Sequence, residues 1–120
     1  MKKSLYSFPR ESRLLTPSSF SRVFEKAIPA VSPCITVLAR HNDLEKPRLG
    51  ITVPKKKVKL ASNRNRIKRC IRESFRLIAH ELPNVDIIVV AKHGIGDMNN
   101  RAINEQLDKQ WRKLQKRCQT

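Results

Sequence analysis

Apolar residues recur at helical spacing through the middle of this chain, between about residues 62 and 81. They step by four, four, three and four positions, which places them on one side of a helix: Ile67, Ile71, Phe75, Ile78 and Leu82. The opposite side is polar at similar spacing: Asn65, Arg69, Arg72 and Arg76. Pro83 and Asn84 end the pattern. The sequence therefore predicts an amphipathic helix with a packed side and a cationic side.

Two further helices are predicted, one towards each end of the chain. Thr16 followed by Pro17 is a typical helix start, because a capping hydroxyl precedes a proline whose fixed φ suits the first turn. Pro29 is expected to end this short helix. The last helix should begin after Asn99 or Asn100, and its apolar residues recur at helical spacing: Ile103, Leu107, Trp111, Leu114 and Cys118.

Three other segments have the composition of β-strands. Residues 35–39 and 49–53 flank a polar turn and are rich in β-formers, which favours an antiparallel hairpin. Residues 86–91 are an almost unbroken apolar run, which is typical of a central strand covered on both faces. One more weak strand has no clear place in the pattern. The order α-β-β-α-β-α predicts a two-layer α/β sandwich.

The length and charge of the chain narrow the class of protein. Its 120 residues make a single domain, 1–120. Residues 1–15 carry four Lys or Arg with little periodicity and are expected to form a flexible basic arm. Lys and Arg number 26 against 10 Asp and Glu, which gives a formal net charge of +16. Such a charge favours a polyanionic partner, and nucleic acid is the first candidate.

The positive charge is concentrated around the predicted central helix. Residues 48–76 hold eleven cations and a single acid, Glu73. A second basic cluster closes the chain: Lys109, Arg112, Lys113, Lys116 and Arg117. An acidic membrane is a rival polyanion, but the central helix is expected to bury its apolar side in a domain rather than present it to lipid. A nucleic-acid-binding domain is the better interpretation.

Other classes of protein are disfavoured. Three cysteines and an N-terminus without an apolar stretch indicate a cytoplasmic protein with reduced thiols. The longest uncharged run, residues 27–39, is too short to span a bilayer. The acids are dispersed, and the three histidines show no metal-ligand spacing among themselves or with the cysteines. We therefore expect no metal site and no catalytic residues in this chain.

A motif at the start of the central helix carries a resemblance to a known family. Across residues 61–69, an alanine stands three residues ahead of Arg-Asn-Arg, which is followed by an aliphatic residue and two cations. This motif resembles the signature of the protein component of bacterial ribonuclease P. The similarity extends nearly end to end, through residues 13–24, 47–56, 73–76 and 89–92.

The resemblance implies both a fold and a role. The family fold is α-β-β-β-α-β-α, like domain 2 of ribosomal protein S5, with a left-handed β-α-β crossover around the central helix. The family protein is the subunit of an endoribonuclease whose catalytic centre lies in a large RNA. With Mg²⁺, bound mainly by that RNA, the holoenzyme removes the 5′ leader from precursor tRNA. The implied partners are the catalytic RNA and precursor tRNA, without a membrane or an obligatory protein partner.

The resemblance also assigns residues to two sites. The motif and the basic pair ahead of it match residues expected to contact the catalytic RNA: Lys55, Lys56, Arg64, Asn65, Arg66, Lys68 and Arg69. Arg72 continues the same cationic side. The leader is expected in a cleft between the first helix and the sheet: Phe20, Phe24, Thr36, Leu38 and Thr52. At Phe20 and Phe24, helical spacing is also typical of core residues. Packing in the core and contact with the leader therefore both stay open as interpretations.

Two alternatives belong to other functional classes. Small basic α/β domains also occur in ribosomal and general RNA-binding proteins that have no processing role. A DNA-binding architectural protein is a more distant third. Co-purification separates the first alternative, since a ribosomal protein would travel with ribosomal particles rather than with one large non-ribosomal RNA.

Overall fold

The computed structural model of the protein describes residues 13–14 and 16–118. Their helices and strands follow the chain in this order: α1 (Pro17–Glu25), β1 (Ile28–Val31), β2 (Ile35–His41), β3 (Arg48–Thr52), α2 (Ala61–Ile78), β4 (Val85–Ala91) and α3 (Asn100–Arg117). Short 3-10 turns follow α2 and β4, at Ala79–Glu81 and Ile95–Asp97. This is the order α-β-β-β-α-β-α that the resemblance implies, with one strand more than the sequence pattern placed.

The four strands form one mixed sheet in the order β1-β2-β4-β3. β4 is central as predicted, antiparallel to β2 and parallel to β3. Val89 of β4 lies between Val37 of β2 and Ile51 of β3, so the hairpin predicted for residues 35–39 and 49–53 is wrong. Helix α2 instead connects the parallel strands β3 and β4, because parallel neighbours need a crossover connection. The left-handedness of this crossover stays a prediction from the resemblance.

Strand β1 is the weak strand that the pattern left unplaced. The first helix ends at Glu25, with Lys26 as its C-cap, so Pro29 does not end it. Pro29 lies instead inside β1, which pairs only with β2 and forms an edge of the sheet. An edge strand tolerates a proline because one side of its backbone has no strand partner. The predicted helix cap is confirmed, since the Thr16 side chain accepts a hydrogen bond from the N–H of Ser19.

Helices α2 and α3 cover one face of the sheet and build the main core with it. Alternate residues of β2 and β4 pack beneath them with no exposed surface: Ile35, Val37, Ala39, Ile87 and Val89. Phe75 and Trp111 lie between the helices as predicted, with their rings edge to face at 6.2 Å between centroids. The indole Nε1 of Trp111 donates to Ser74 Oγ at 2.8 Å. This pairing satisfies the polar atom of the largest core side chain.

The two covering helices run parallel, so their N-termini lie at the same end of the domain. Arg66 of α2 contacts Asn100 at the start of α3, and Gln115 near the end of α3 donates to the carbonyl of Glu81, just after α2. The positive ends of two helix dipoles therefore lie side by side, next to the predicted RNA-contact residues.

Among the described residues, the other face of the sheet is covered by α1 and the chain just before it. Leu14, Val23 and Ile88 form a small second core there. The N–H of Leu14 donates to the carbonyl of Leu49 at 2.8 Å, so Leu14 is fixed against the edge strand β3. The basic arm predicted for residues 1–15 therefore does not extend through Leu14. Residues 1–12 and residue 15 lie outside the described residues.

Candidate RNA-binding interface

The lysine-rich loop before α2 is held by its own backbone and by one apolar anchor. The carbonyl of Pro54 accepts hydrogen bonds from the N–H groups of Lys57 and Val58, both at 3.0 Å. The Val58 side chain is buried in the main core. Lys55 and Lys56 are exposed beside it. The loop therefore projects its lysines into solvent from a fixed turn.

Helix α2 begins in a way that suits an anionic ligand. Its N-cap residue, Leu60, is exposed and makes no side-chain cap, and no acid stands in the first turn. The N–H groups of that turn therefore have no capping side chain, although this end of a helix carries partial positive charge. Cations follow at once, which opposes the usual preference for acids near a helix start. The arrangement favours a bound anion over stability of the isolated helix.

Arg64 connects the loop to the helix. Its Nη1 donates to the carbonyl of Val58 at 3.0 Å and to that of Lys59 at 2.8 Å. The side chain is half-buried, and its acceptors are neutral, so the positive charge is not cancelled. The sequence predicted an RNA contact here. The structure shows a residue that first positions the lysine loop and adds its charge to the surface.

Arg66 connects α2 to the start of α3. Its guanidinium donates to Asn63 Oδ1 at 3.3 Å, to Asn100 Oδ1 at 2.7 Å and to the carbonyl of Gly96 at 3.4 Å. All three acceptors are uncharged, so this side chain is oriented without being neutralised. A fixed guanidinium loses less conformational entropy when it binds a phosphate.

The solvent side of α2 carries the remaining predicted contacts. Asn65, Arg69 and Arg72 are exposed and Lys68 is half-buried. Among the described residues, none of these cations lies within 4 Å of a carboxylate oxygen. We call Arg64, Asn65, Arg66, Lys68, Arg69 and Arg72 the α2 cationic face. Its charges are available to a ligand because they are not used in ion pairs.

One turn further along α2 the charges are paired instead. Arg76 forms an ion pair with Glu73. The hydrogen bond from Arg76 lowers the pKa of the Glu73 carboxyl. The α2 cationic face therefore ends at this pair, and it occupies the first three turns of the helix.

An open groove of about 510 Å³ runs between α2 and α3 beside the α2 cationic face. It is lined by Ser62, Asn65, Arg66, Arg69, Cys70, Glu73, Asn100 and Asn104. Nothing in the sequence marks Asn100 or Asn104 as part of this site, because they are more than thirty residues from the motif. Only the parallel packing of α3 against α2 brings them to the site. Burial raises the pKa of the Cys70 thiol, although Arg66 and Arg69 oppose this effect, so the thiol is neutral at pH 7.

The residues predicted for the leader cleft lie on or beside the α1 face of the sheet. Thr36 of β2 and Thr52 of β3 flank Val90 of β4, and Leu38 is paired with Ile88 one step along. Thr36, Leu38 and Thr52 are all half-buried, because α1 is too short to cover the whole face. The sheet therefore presents a partly open strip of small and apolar side chains.

The two phenylalanines of α1 differ in environment. Phe20 is half-buried and packs directly over Gly50, where an added Cβ would approach its Cζ to 2.5 Å. Phe24 has 52% of its surface exposed and is therefore not a core residue. Phe24 is thus outside the core, and its place in the leader cleft stays a prediction, whereas Phe20 packs against the small second core. Sequence reasoning missed Gly50, whose missing side chain makes room for the Phe20 ring.

One end of the α1 face is organised by a buried acid. Asp86 accepts hydrogen bonds from Nε and Nη2 of Arg48, at 2.8 and 2.7 Å, and from Asn42 at 2.9 Å. Burial acts to raise the pKa of Asp86, but these hydrogen bonds outweigh it and lower the pKa below its usual value. Arg40 is nearby in the register and donates to the carbonyl of Arg22. This end of the face therefore carries net positive charge.

The described residues contain no cluster of the side chains that usually hold a metal ion in proteins. Within residues 13–14 and 16–118, no group of three or more His, Cys, Asp or Glu side chains is close enough together to bind a metal ion. Mg²⁺ prefers oxygen ligands and carboxylates, and the acid closest to the α2 cationic face along the helix, Glu73, is paired with Arg76. Within the same residues, no helix is long and apolar enough to cross a membrane.

Comparison with known proteins decides the family. The family model described as Ribonuclease P matches residues 8–115 of the chain. The chain belongs to the ribonuclease P protein family. The ribonuclease P protein component of Pseudoalteromonas atlantica is 58% identical over 113 residues, which are 94% of each chain. That of Klebsiella pneumoniae is 58% identical over 107 residues, 89% of this chain and 90% of the relative.

Solved structures of the ribonuclease P protein share the fold. The Staphylococcus aureus protein superposes with a TM-score of 0.81 at 31% identity, covering 87% of this chain and 97% of the other. The Thermotoga maritima protein gives a TM-score of 0.75 at 27% identity, covering 84% and 96%. The resemblance read from residues 61–69 is confirmed. As a ribonuclease P protein component, the chain is a subunit of that enzyme and works with an RNA partner.

Proposed function

We propose that this chain is the subunit of ribonuclease P that helps the catalytic RNA remove the 5′ leader from precursor tRNA. It does so by binding both the RNA subunit and the leader, while the Mg²⁺-dependent endonucleolytic step takes place on the RNA. The observation that carries the proposal is the α2 cationic face, a set of cations that no acid of the described residues neutralises, held on a helix whose underside is buried at Ile67, Ile71 and Phe75. A folded RNA is the polyanion that such a rigid surface fits.

The α2 cationic face and the lysine loop bind phosphates in different ways. Arginine presents a planar fork that can donate two hydrogen bonds to one phosphate, so Arg69 and Arg72 are suited to defined contacts. Lys55 and Lys56 act as point charges that lower the repulsion between the protein-bound RNA strands. Asn65 is exposed among them and can donate to a phosphate or a base edge. Arg64 and Arg66 keep the loop and α3 in place around these groups.

The leader is expected on the opposite side of the sheet, in the partly open strip beside α1. Phe24 offers an exposed ring on which a base can stack, and Thr36 and Thr52 offer hydroxyl groups. Leu38 is aliphatic, so it can only provide an apolar contact. The net positive end near Arg40 would hold the phosphates of the same strand.

Mg²⁺ belongs to the RNA in this proposal. The described residues provide no clustered carboxylates for a metal-dependent phosphodiester cleavage, and their cationic surroundings would repel a divalent ion. The protein contributes by neutralising phosphates that would otherwise need more bound metal. The chain works in the cytoplasm without an obligatory protein partner, and its three cysteines are free thiols.

A reconstitution experiment tests the proposal. Purified protein is added to its RNA subunit and a precursor tRNA at low Mg²⁺ concentration, and the rate of leader removal is measured. The proposal predicts a clear increase over RNA alone, and a smaller increase at high Mg²⁺ because the metal then replaces part of the protein's charge. A cleavage rate that the protein does not change at any Mg²⁺ concentration would refute it. Co-purification with ribosomal particles would instead favour a ribosomal protein.

A further inference from the structure

The basic cluster near the end of the chain forms a second charged surface that the proposed sites do not use. Lys109, Arg112, Lys113 and Lys116 are all exposed on α3. They are spaced by three, one and three residues, so they share the solvent side of the helix opposite the buried Leu107, Trp111 and Leu114. We call these four residues the α3 cationic stripe. Its length along the helix axis is about 10 Å.

The stripe keeps its charge because, within residues 13–14 and 16–118, none of its members lies within 4 Å of a carboxylate oxygen. Within the described part of the chain, the ion pair on α3 joins Arg101 to Glu105, one turn before the stripe. The exposed acids nearby are Asp108 on α3 and Glu81, which lines a shallow depression with Arg112 and Lys116. Neither comes within 4 Å of a stripe cation. Pairs such as Lys109 and Lys113, four residues apart, therefore repel each other.

The helix dipole explains only part of this pattern. Cations in the last turn of a helix are stabilising, which accounts for Lys116 and for Arg117, whose guanidinium donates to the carbonyl of Pro29. The dipole effect falls off within one turn. Lys109 is two turns before the helix end, so it gains little from the dipole while it adds to the repulsion. Binding of a negatively charged partner would offset this repulsion between the cations.

The stripe is well separated from the α2 cationic face. Because α2 and α3 are parallel, Arg66 is level with Asn100, at the start of α3. Lys113 lies about 20 Å further along the α3 axis. The Glu73–Arg76 ion pair lies just beyond the α2 cationic face, about 10 to 15 Å past Arg66, where the net charge is low. The Arg101–Glu105 ion pair is level with the α2 cationic face, at the start of α3. The layer formed by the two helices therefore carries two positive areas at opposite ends of one rigid body.

We propose that the α3 cationic stripe binds the phosphate backbone of a second segment of the RNA subunit. A nucleic-acid double helix carries roughly one phosphate per 2 Å of its axis, so it presents several phosphates to a stripe of this length. The protein would then bridge two segments of one folded RNA. This inference rests on the proposed function, since it assigns a further contact to the same partner.

The test measures how RNA affinity depends on salt concentration for matched variants. Lys109→Gln/Lys113→Gln removes two stripe charges without touching the core. Arg22→Gln/Lys26→Gln is the control, because it removes two exposed charges from α1, on the other side of the sheet. With the RNA subunit alone, the stripe variant should lower the slope of log K against log salt by about 0.7 to 0.9 per lost contact, and the control should not. A slope equal to that of the control would overturn the inference.

Lysine footprinting gives a second readout on the unmodified protein. An acetylating reagent is applied to free protein and to its complex with the RNA subunit, and each lysine is followed by mass spectrometry. The inference predicts that Lys109 and Lys113 become protected, whereas Lys26 stays reactive. Equal reactivity of all three in both samples would contradict it. So would a stripe variant that loses binding to anionic lipid vesicles while its RNA affinity is unchanged, because that result would assign the stripe to a membrane.

The outcomes separate this inference from the proposed function. If wild-type protein does not stimulate leader removal, the proposed function fails. If wild-type protein stimulates cleavage but the stripe variant has the RNA affinity and salt slope of the control, only the bridging contact fails.

Discussion

One face of the sheet is covered by the eighteen-residue helices α2 and α3, whereas the described residues on the other face are the nine-residue α1 and Leu14 just before it. Beneath α2 and α3, residues such as Val37 and Val89 have no exposed surface. On the α1 face, Thr36 and Leu38 stay half-exposed. The first side supplies most of the buried apolar area, and therefore most of the stability.

On each side of the sheet, the residues that stabilise the fold differ from the residues that are available for binding, and the two sides achieve this differently. The inner sides of α2 and α3 form the core with the sheet. Their solvent-facing sides can therefore carry cations that repel one another, at a small cost in stability. The α1 side instead leaves part of the sheet itself accessible, with side chains that a single strand could contact. The first surface suits a large folded polyanion, and the second suits a flexible strand.

The largest effect on stability should come from removing an aromatic ring on the face of the sheet that α2 and α3 cover. Phe75→Ala removes a side chain with 1% exposure that contacts Trp111, so the free energy of unfolding should fall by about 3 to 5 kcal/mol. Phe24→Ala makes the same chemical change on the open side, at a ring that is half exposed, and should cost well under 1 kcal/mol. Chemical denaturation of both variants measures the contrast. Equal losses would mean that the two sides do not differ as described.

A smaller effect is expected at the buried acid of the α1 face. Asp86→Asn breaks the paired hydrogen bonds with Arg48 and should lower the free energy of unfolding by about 2 kcal/mol at pH 7. The pKa of Asp86 is lower in the folded state than in the unfolded state, so its contribution is present above about pH 4 and is lost as the pH falls below that value. The difference between variant and wild type should therefore shrink in acid. A difference that stays constant from pH 7 to pH 3 would contradict this assignment.

The next effect concerns Gly50, over which the Phe20 ring packs. Gly50→Ala places a methyl group against the Phe20 ring, which can swing towards solvent, so we expect a loss of about 1 kcal/mol in stability. If the ring contacts the leader, the same variant should weaken binding of precursor tRNA more than binding of mature tRNA. Filter-binding titrations with both RNAs measure this ratio. An unchanged ratio together with a lower melting temperature would show that Phe20 serves only the core.

Features with a local signal could be predicted from the sequence, whereas features that depend on distant parts of the chain could not. Helix α2 and strand β4 were predicted closely, because a long amphipathic period and a continuous apolar run are local signals. The partner of residues 35–39 was predicted wrongly, because these residues pair with β4, which comes about fifty residues later in the chain. Pro29 masked β1, since a proline reads as an end signal unless the strand is known to be at an edge.

The candidate sites show the same division. The α2 cationic face follows from residue spacing along one helix, so the sequence alone placed it. That Arg64 and Arg66 are oriented by carbonyl and amide oxygens could not be predicted, because those acceptors belong to the preceding loop and to the start of α3. Gly50 and Asn104 were missed for the same reason, since nothing in their own neighbourhood marks them.

The most direct test of the account is the salt dependence of RNA-subunit binding by Arg69→Gln. Arg69 is exposed at the centre of the α2 cationic face, without a carboxylate oxygen within 4 Å among the described residues, and its loss should not affect the core. The account predicts weaker binding and a slope of log K against log salt that is lower by about 0.7 to 0.9, with Lys26→Gln as the control of equal charge. A wild-type affinity and slope for Arg69→Gln would contradict the claim that this face binds the RNA.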